Sequence, residues 1–217
     1  MHGAKTRQFD GARYVVEPGL RKAPRIEGKK SVDAFYATQA KGSAHEKPEL
    51  VLEAFDLDIQ EIACGEDHVV CITSAGEMHL WGDGSCGRLG IGVPKLCDKP
   101  VLVKLPNDRQ PIHVACGEQH TCVVSREGDL YTWGNSGDAG ILGHGVESQS
   151  VWQPLGVSGL PANSRVASVS CGSRHSALVT VEGRLYTWGE GIFGQLGHDN
   201  KEDIWSPKHV TALEGQK

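Results

Sequence analysis

Apolar residues come along this chain in short runs, each soon cut off by glycine or proline. Val69-Val70-Cys71-Ile72 and Leu178-Val179 lead into turns at Ala75-Gly76 and Glu182-Gly183, and a third such turn sits at Glu127-Gly128. Beyond the turns stand second runs such as Leu130-Tyr131-Thr132-Trp133. Two β-rich runs around a two-residue turn containing glycine predict a hairpin. Pro-x-x-Val segments supply an outer strand, and runs such as Ile59 to Ala63 and Ile112 to Ala115 supply another. Each unit is therefore expected to hold about four short antiparallel strands, the content of one propeller blade. No segment keeps a helical period.

The runs recur. Ile62 to Gly82, Val114 to Gly134 and Val169 to Gly189 each open on Cys-Gly-x-x-His and close on Trp-Gly. Trp81, Trp133 and Trp188 stand 52 and 55 residues apart, as do Cys64, Cys116 and Cys171. Pro-x-x-Val recurs at Pro48, Pro100, Pro154 and Pro207, at intervals of 52, 54 and 53. An internal period of this size is the mark of a repeat architecture. Counted from Pro-x-x-Val, three units span residues 48–99, 100–153 and 154–206. A partial fourth, 207–217, stops before its Cys-Gly-x-x-His, as expected of a fragment. Residues 1–47 show no comparable unit and read as a basic leader, partly disordered or a decayed blade, with short strands hinted at Tyr14-Val15-Val16 and Ala34-Phe35-Tyr36.

One stretch invites a different reading. Gly82, Gly84 and Gly87 are spaced G-x-G-x-x-G, the pattern of a nucleotide-binding turn. Such a turn works by aiming the amides of a helix N-terminus at phosphate. Here Gly90, Gly92, Pro94 and Pro100 follow, and they deny the stretch a helix. The same glycines recur after Trp133 and Trp188, so they belong to the repeat.

The unit V-x-C-G-x-x-H-x-x-x-V-T-x-x-G-x-L-Y-T-W-G-x-G-x-x-G-Q-L-G-H resembles the repeat of the regulator-of-chromosome-condensation family. Val169 to Asp199 matches it almost throughout, and the first copy departs at Met78-His79-Leu80 and Ile91. The resemblance covers about Pro48 to Lys217. It implies an all-β fold, part of a seven-bladed propeller: an open arc of three blades and the start of a fourth. The family's activities range from nucleotide exchange on the small GTPase Ran, with chromatin binding, to partner docking in scaffolds and ubiquitin ligases.

Composition fits this picture. Glycine supplies 28 of 217 residues, well above the usual share of about 7%. No apolar run reaches membrane-spanning length and the N-terminus lacks a signal-peptide core, so no membrane partner is expected. Seven cysteines without a C-x-x-C, replaced by apolar residues between copies, suit reduced thiols in the cytoplasm or nucleus. The pairs Cys64/His68, Cys116/His120 and Cys171/His175 have ligand chemistry. Each pair sits on its own blade, however, and offers two ligands where structural zinc takes four, so no metal is expected. The cysteine is read as buried and the histidine as hydrogen-bonded within its blade, and the three tryptophans as packing between blades.

Charge is uneven. Residues 1–47 carry ten Lys and Arg against five Asp and Glu, while residues 48–217 carry twelve against twenty-two. The blades repel nucleic acid, and only the leader, with Arg21-Lys22 and Lys29-Lys30, could meet phosphate. There is no G-x-S-x-G elbow, no H-E-x-x-H and no phosphate loop. The chain therefore reads as no enzyme, with no cofactor and no catalytic residue. The reading is a protein-interaction scaffold or regulator; the alternative is an exchange factor for a Ran-like small GTPase. The partner is a protein, a small GTPase under the second reading, and an incomplete propeller also invites self-association. Contact residues are expected on the blade loops that differ between copies: Asp83, Arg88, Asn135, Asp138, Glu190 and Phe193.

Overall fold

The computed structural model describes residues 7–9, 12–14, 58–145 and 150–214. Arg7–Phe9 (β1) and Ala12–Tyr14 (β2) form a two-stranded antiparallel ladder within a compact unit of its own, Met1–Phe35. Tyr14 thus lies in a strand, while Val15-Val16, Ala34-Phe35-Tyr36 and the basic cluster of the leader fall outside the described residues.

The second unit, Tyr36–Lys217, carries three four-stranded antiparallel sheets. The first is Ile59–Cys64 (β3), His68–Thr73 (β4), Met78–Gly82 (β5) and Cys97–Val103 (β6). The second is Pro111–Cys116 (β7), His120–Ser125 (β8), Leu130–Gly134 (β9) and Val151–Gly156 (β10). The third is Val166–Cys171 (β11), His175–Thr180 (β12), Leu185–Gly189 (β13) and Ile204–His209 (β14). In each sheet every strand pairs with its neighbour in sequence, as in the blade of a propeller.

Register is as repetitive as sequence. His68, His120 and His175 face Gly82, Gly134 and Gly189, and the next residue of each strand faces Trp81, Trp133 and Trp188. The Cys-Gly-x-x-His and Trp-Gly motifs are therefore two arms of one hairpin. The hairpin turn is longer than the two residues expected. Gly76 N donates to Thr73 O and Thr73 N to Glu77 O, and the Thr73 hydroxyl accepts from Glu77 N at 3.1 Å. Ser125 and Thr180 repeat that hydroxyl contact at the other two turns. The repeat frame counted from Pro-x-x-Val cuts across the sheets: Pro100 and Val103 lie in β6, which pairs with β5. Likewise Pro207, counted as the opening of a fourth unit, lies in β14, which pairs with β13 as the outer strand of the third sheet.

The inner strands β3, β7 and β11 stand side by side, with β7 in contact with both others, so the blades form an arc. One core lies between the first and second sheets, where Val70, Ile72, Met78, Leu80 and Leu89 meet Val123, Tyr131 and Trp133. A second lies between the second and third, where Cys122, Val124 and Leu130 meet Val166, Leu178, Tyr186 and Trp188. All six residues of β4 and of β8 are buried. In β12 burial alternates: Ser176, Leu178 and Thr180 are buried, whereas His175, Ala177 and Val179 are partly open. Among the described residues the arc is thus open at its third sheet.

Trp133 and Trp188 have no exposed surface at all, whereas Phe193, on the loop after the last Trp-Gly, is 82% exposed. Trp133→Ala should therefore cost on the order of 3–5 kcal/mol, and Phe193→Ala should stay within about 0.5 kcal/mol of the parent. Urea denaturation checks both; equal effects would mean that the tryptophan is not the wedge between sheets.

Candidate functional site

The motif histidines reach out of their own blades. His68 Nε2 lies 2.9 Å from the Thr121 hydroxyl, and His120 Nε2 lies 2.9 Å from the Ser176 hydroxyl, in each case on the next sheet. The expectation of a hydrogen bond within the blade is thus corrected. A histidine at the rim of one sheet faces the partner sheet, where the residue after the next motif histidine waits. Each hydroxyl also donates to a backbone carbonyl of the preceding blade's glycine-rich loop, Thr121 to Arg88 O at 3.0 Å and Ser176 to Ile141 O at 3.4 Å. The same two carbonyls accept the indole N–H of Trp133 and Trp188, both at 3.0 Å. Imidazole, hydroxyl, carbonyl and indole make one clasp per join.

Glycine makes the clasp sterically feasible. A Cβ on Gly65, Gly117 or Gly172 would collide with the imidazole of its own motif histidine. A Cβ on Gly90 or Gly143 would stand 2.8 Å from the indole nitrogen of Trp133 or Trp188. Both lie in loops that hold no helix; Ser85–Gly87 is a single 3-10 turn. Of the glycines in the nucleotide-like spacing, Gly82 and Gly84 lie where a Cβ would meet Asp67 O and Lys95 O of their own blade, and Gly87 where it would meet Val151 O of the next, so they serve packing within and between blades.

An imidazole on a hydroxyl has the makings of a nucleophile and base. Here both groups are fully buried, and His68 and His120 have no partner at Nδ1 among the described residues, so no third group orients either ring. These pairs are joints.

The surface that can meet a partner lies at one end of the arc. Asp83 N donates to Asp67 O, Asn135 N to Gln119 O and Glu190 N to Arg174 O, which sets each post-tryptophan loop beside its own Cys-Gly-x-x-His turn. The three turns together surround a cavity of about 370 Å³ lined by Cys64–Glu66, Cys116–Glu118 and Cys171–Ser173. These turns and loops carry Glu66, Asp67, Asp83, Glu118, Asp138 and Glu190 against Arg88 and Arg174. The opposite end is mixed in charge, with Arg109 paired to Glu127 and Asp129 at 3.4 and 3.5 Å.

The six loop residues singled out from sequence all belong to the acidic end, with different roles. Arg88 is only 4% exposed. Its guanidinium lies 3.5 Å from Asp67 and 3.6 Å from Asp83, and reaches Glu118 O at 3.5 Å on the second sheet. Asp83 also accepts from the Ser85 hydroxyl at 2.6 Å, and that bond is the first cause holding its carboxyl below the ordinary range. Asn135 bonds Gln119 Oε1 at 2.7 Å and Gly137 N at 3.1 Å, which shapes its loop. Asp138 and Glu190 flank Arg174 at 3.0 and 2.8 Å and join the second sheet to the third. Phe193 stands alone and exposed. Sequence reasoning missed Arg174, Glu66, Asp67 and Glu118. Their signal is variation inside a constant motif: the two x positions read Glu66-Asp67, Glu118-Gln119 and Ser173-Arg174.

The cysteines divide. The motif cysteines Cys64, Cys116 and Cys171 all line the axial cavity between the turns, Cys64 exposed and the other two half-buried, which corrects the expectation that they are buried, whereas Cys122 is buried at the second join. There His120, Cys122 and Cys171 converge from two sheets, with their ligand atoms within 4.8 Å of one another.

Comparison with known proteins gives the arrangement a setting. The family model described as the regulator of chromosome condensation (RCC1) repeat matches residues 75–124, 127–179 and 182–217. The mouse E3 ubiquitin-protein ligase HERC2 is 32% identical over 174 residues, covering 79% of this chain and 4% of HERC2. The Arabidopsis thaliana ultraviolet-B receptor UVR8 is 36% identical over 155 residues, covering 71% of this chain and 34% of UVR8. Among solved structures, human WBSCR16 superposes with a TM-score of 0.66 at 27% identity, covering 76% of this chain and 41% of WBSCR16. Prp20p of Saccharomyces cerevisiae, whose binding to Gsp1p and histones has been described with its structure, superposes with a TM-score of 0.63 at 26% identity, covering 70% of this chain and 38% of Prp20p. The chain spans well under half the length of each of these proteins.

The clasp carries a pH signature. Burial is the first cause, and Arg88 the second, that lowers the His68 pKa from 6.5 to about 3. The unfolded chain takes up a proton there below pH 6.5 while the folded chain resists it until about pH 3. Stability from this group is complete above pH 6.5 and drains away as pH falls through that window, by about 1.4 kcal/mol per pH unit. His68→Gln, which keeps a donor for Thr121, should flatten the acid limb by that amount in urea titrations between about pH 6 and pH 4. An unchanged slope would show that His68 is not held neutral.

Proposed function

We propose, from the premise that this chain belongs to the regulator of chromosome condensation (RCC1) repeat family, that it is a protein-docking module which presents the acidic end of its arc to a basic surface of a partner protein. One observation carries the reading. One backbone bond, from the residue after Trp-Gly to the residue before the motif histidine, recurs in all three blades, while the side chains on these turns and loops differ from copy to copy and sum to an excess of carboxylates. A rigid frame with variable charged positions suits specific recognition, since complementary charge steers encounter and selects partners. Asp138, Glu190, Glu66 and Glu118 are the contact residues of this reading, with Phe193 an apolar contact at the third blade. Arg88 and Arg174 hold the loops in place. Nucleus and cytoplasm are the compartments this reading assigns.

A second reading is exchange-factor activity on a Ran-like small GTPase. It is supported by the likeness to Prp20p, a protein described as binding Gsp1p. Exchange would require no cofactor and no catalytic residue of this chain, because it consists of displacing nucleotide from the partner.

Release of labelled GDP from purified Ran, with the full chain in excess, separates the two. The docking reading expects no acceleration, together with affinity capture of a protein whose binding weakens with salt and falls at least several-fold in Glu118→Lys/Asp138→Lys. Accelerated release would establish the second reading, and capture indifferent to salt and to charge reversal would remove the first. The open third sheet adds self-association to this reading. Sedimentation at rising concentration should show oligomers that recede in Ile192→Ser/Phe193→Ser, residues 48% and 82% exposed in the parent; a monomer at all concentrations would contradict it.

A further inference from the structure

The two joins between blades are built alike, which makes their one chemical difference informative. At the first, His68 bonds Thr121, and the strand position two residues after the histidine is Val70. At the second, His120 bonds Ser176, and the corresponding position is Cys122. The clasp needs no thiol, since Val70 fills that place with no loss of burial. Cys122 therefore adds something that packing does not require. Cys171, at the end of β11, completes a group that the first join lacks.

The group has the geometry of a ligand set. A ring nitrogen of His120, Cys122 Sγ and Cys171 Sγ lie within 4.8 Å of one another. The Ser176 hydroxyl sits over all three, 2.9 Å from the imidazole nitrogen and 3.8 and 3.9 Å from the two sulfurs. A tetrahedral zinc with bonds of about 2.3 Å to sulfur and about 2.0–2.1 Å to nitrogen or oxygen has edges of roughly 3.3–3.8 Å between ligand atoms. To meet that shape the sulfur spacings contract, while the 2.9 Å between imidazole and hydroxyl widens by a few tenths of an ångström as the His120–Ser176 hydrogen bond gives way to two bonds to the metal. Two thiolates, one neutral imidazole and a hydroxyl would also leave the site without net charge, which suits a buried position. Access is available from the axial cavity, which Cys171 lines.

We propose that His120, Cys122, Cys171 and Ser176 form a zinc site that clamps the second blade to the third. Binding exchanges two thiol protons for the cation: each sulfur gives its proton to solvent and its electron pair to the metal, and no redox partner is involved. The pairs that sequence suggests, cysteine and histidine four apart in one repeat, are not the site. Ligands come instead from β8 of one blade and β11 and β12 of the next, so that spacing along the chain conceals them.

The test uses the full chain, freed of metal by chelator and kept reduced, with Zn²⁺ and Co²⁺ as probes. One equivalent of Zn²⁺ should bind saturably, raise the melting temperature and release protons to the buffer. Co²⁺ should give the visible bands of tetrahedral coordination together with thiolate-to-cobalt charge transfer. Cys122→Val, which copies the solution found at Val70, should keep the parent's circular dichroism and weaken Zn²⁺ binding by more than the roughly 10–100-fold that losing an outer-shell partner costs. Cys86→Ser, outside the cluster, should bind as the parent does. No saturable Zn²⁺ binding, a Co²⁺ complex without thiolate charge transfer, or equal affinity in Cys122→Val would each overturn the site. The Co²⁺ spectrum of the unaltered chain decides the matter even if the variant fails to fold.

Discussion

At each join between blades a single backbone carbonyl takes two donors. Arg88 O receives the indole N–H of Trp133 and the hydroxyl of Thr121; Ile141 O receives those of Trp188 and Ser176. A carbonyl has two lone pairs, and both are used here in a space from which water is excluded. Leaving either donor unpaired in that setting would cost about 1–3 kcal/mol. The large indole can therefore be buried only when the neighbouring loop presents its carbonyl at the right height. Glycine in that loop lets the backbone come so near, and the motif histidine fixes the hydroxyl from the other side. Packing, hydrogen bonding and loop shape are consequences of one contact.

The first blade shows how such a joint tolerates change. Thr132 and Thr187 bond the carbonyls of Leu142 and Leu196 and lie 3.0 Å from His144 and His198. In the first blade Leu80 stands where these threonines stand, and Ile91 where the histidines do, and the two pack in one apolar cluster. Both members of the polar pair have gone together. Replacing one alone would strand a buried polar group, whereas replacing both by apolar residues of similar bulk can be nearly neutral. Trp81 is the converse case: its indole N–H is buried with no acceptor among the described residues.

Electrostatics at the acidic end rests on the same frame. Arg88 and Arg174 link loops of adjacent blades, and their value is positional, since exposed ion pairs add about 0–1 kcal/mol each. Arg174 with Asp138 and Glu190 is such an exposed set. Arg88 differs: its buried guanidinium leaves Asp67 and Asp83 half exposed beside it, so part of the acidic field is balanced from within. What remains uncompensated is carried by residues on the turns around the axial cavity.

Much of this was legible in the linear sequence, because strands and their turns are local. Short apolar runs ended by glycine placed the hairpins, and a recurrence of 52 to 55 residues placed the blades. Burial of Trp133 and Trp188 followed from their fixed place in that recurrence. The outer strand was assigned to the wrong neighbour in the count from Pro-x-x-Val, since pairing of β6 with β5 and of β14 with β13 is made by ladder hydrogen bonds and leaves no mark at a repeat boundary. The histidine contacts, the bond from Arg88 to Glu118 O and the approach of Cys171 to His120 and Cys122 all cross from one blade to the next, between residues 30 to 56 positions apart. Distances of that kind depend on how sheets twist and stack about an axis. The sequence by itself determined the blade and its repetition; the tertiary structure alone decided what each blade offers its neighbour, because that choice is made by packing across a join that no stretch of chain contains.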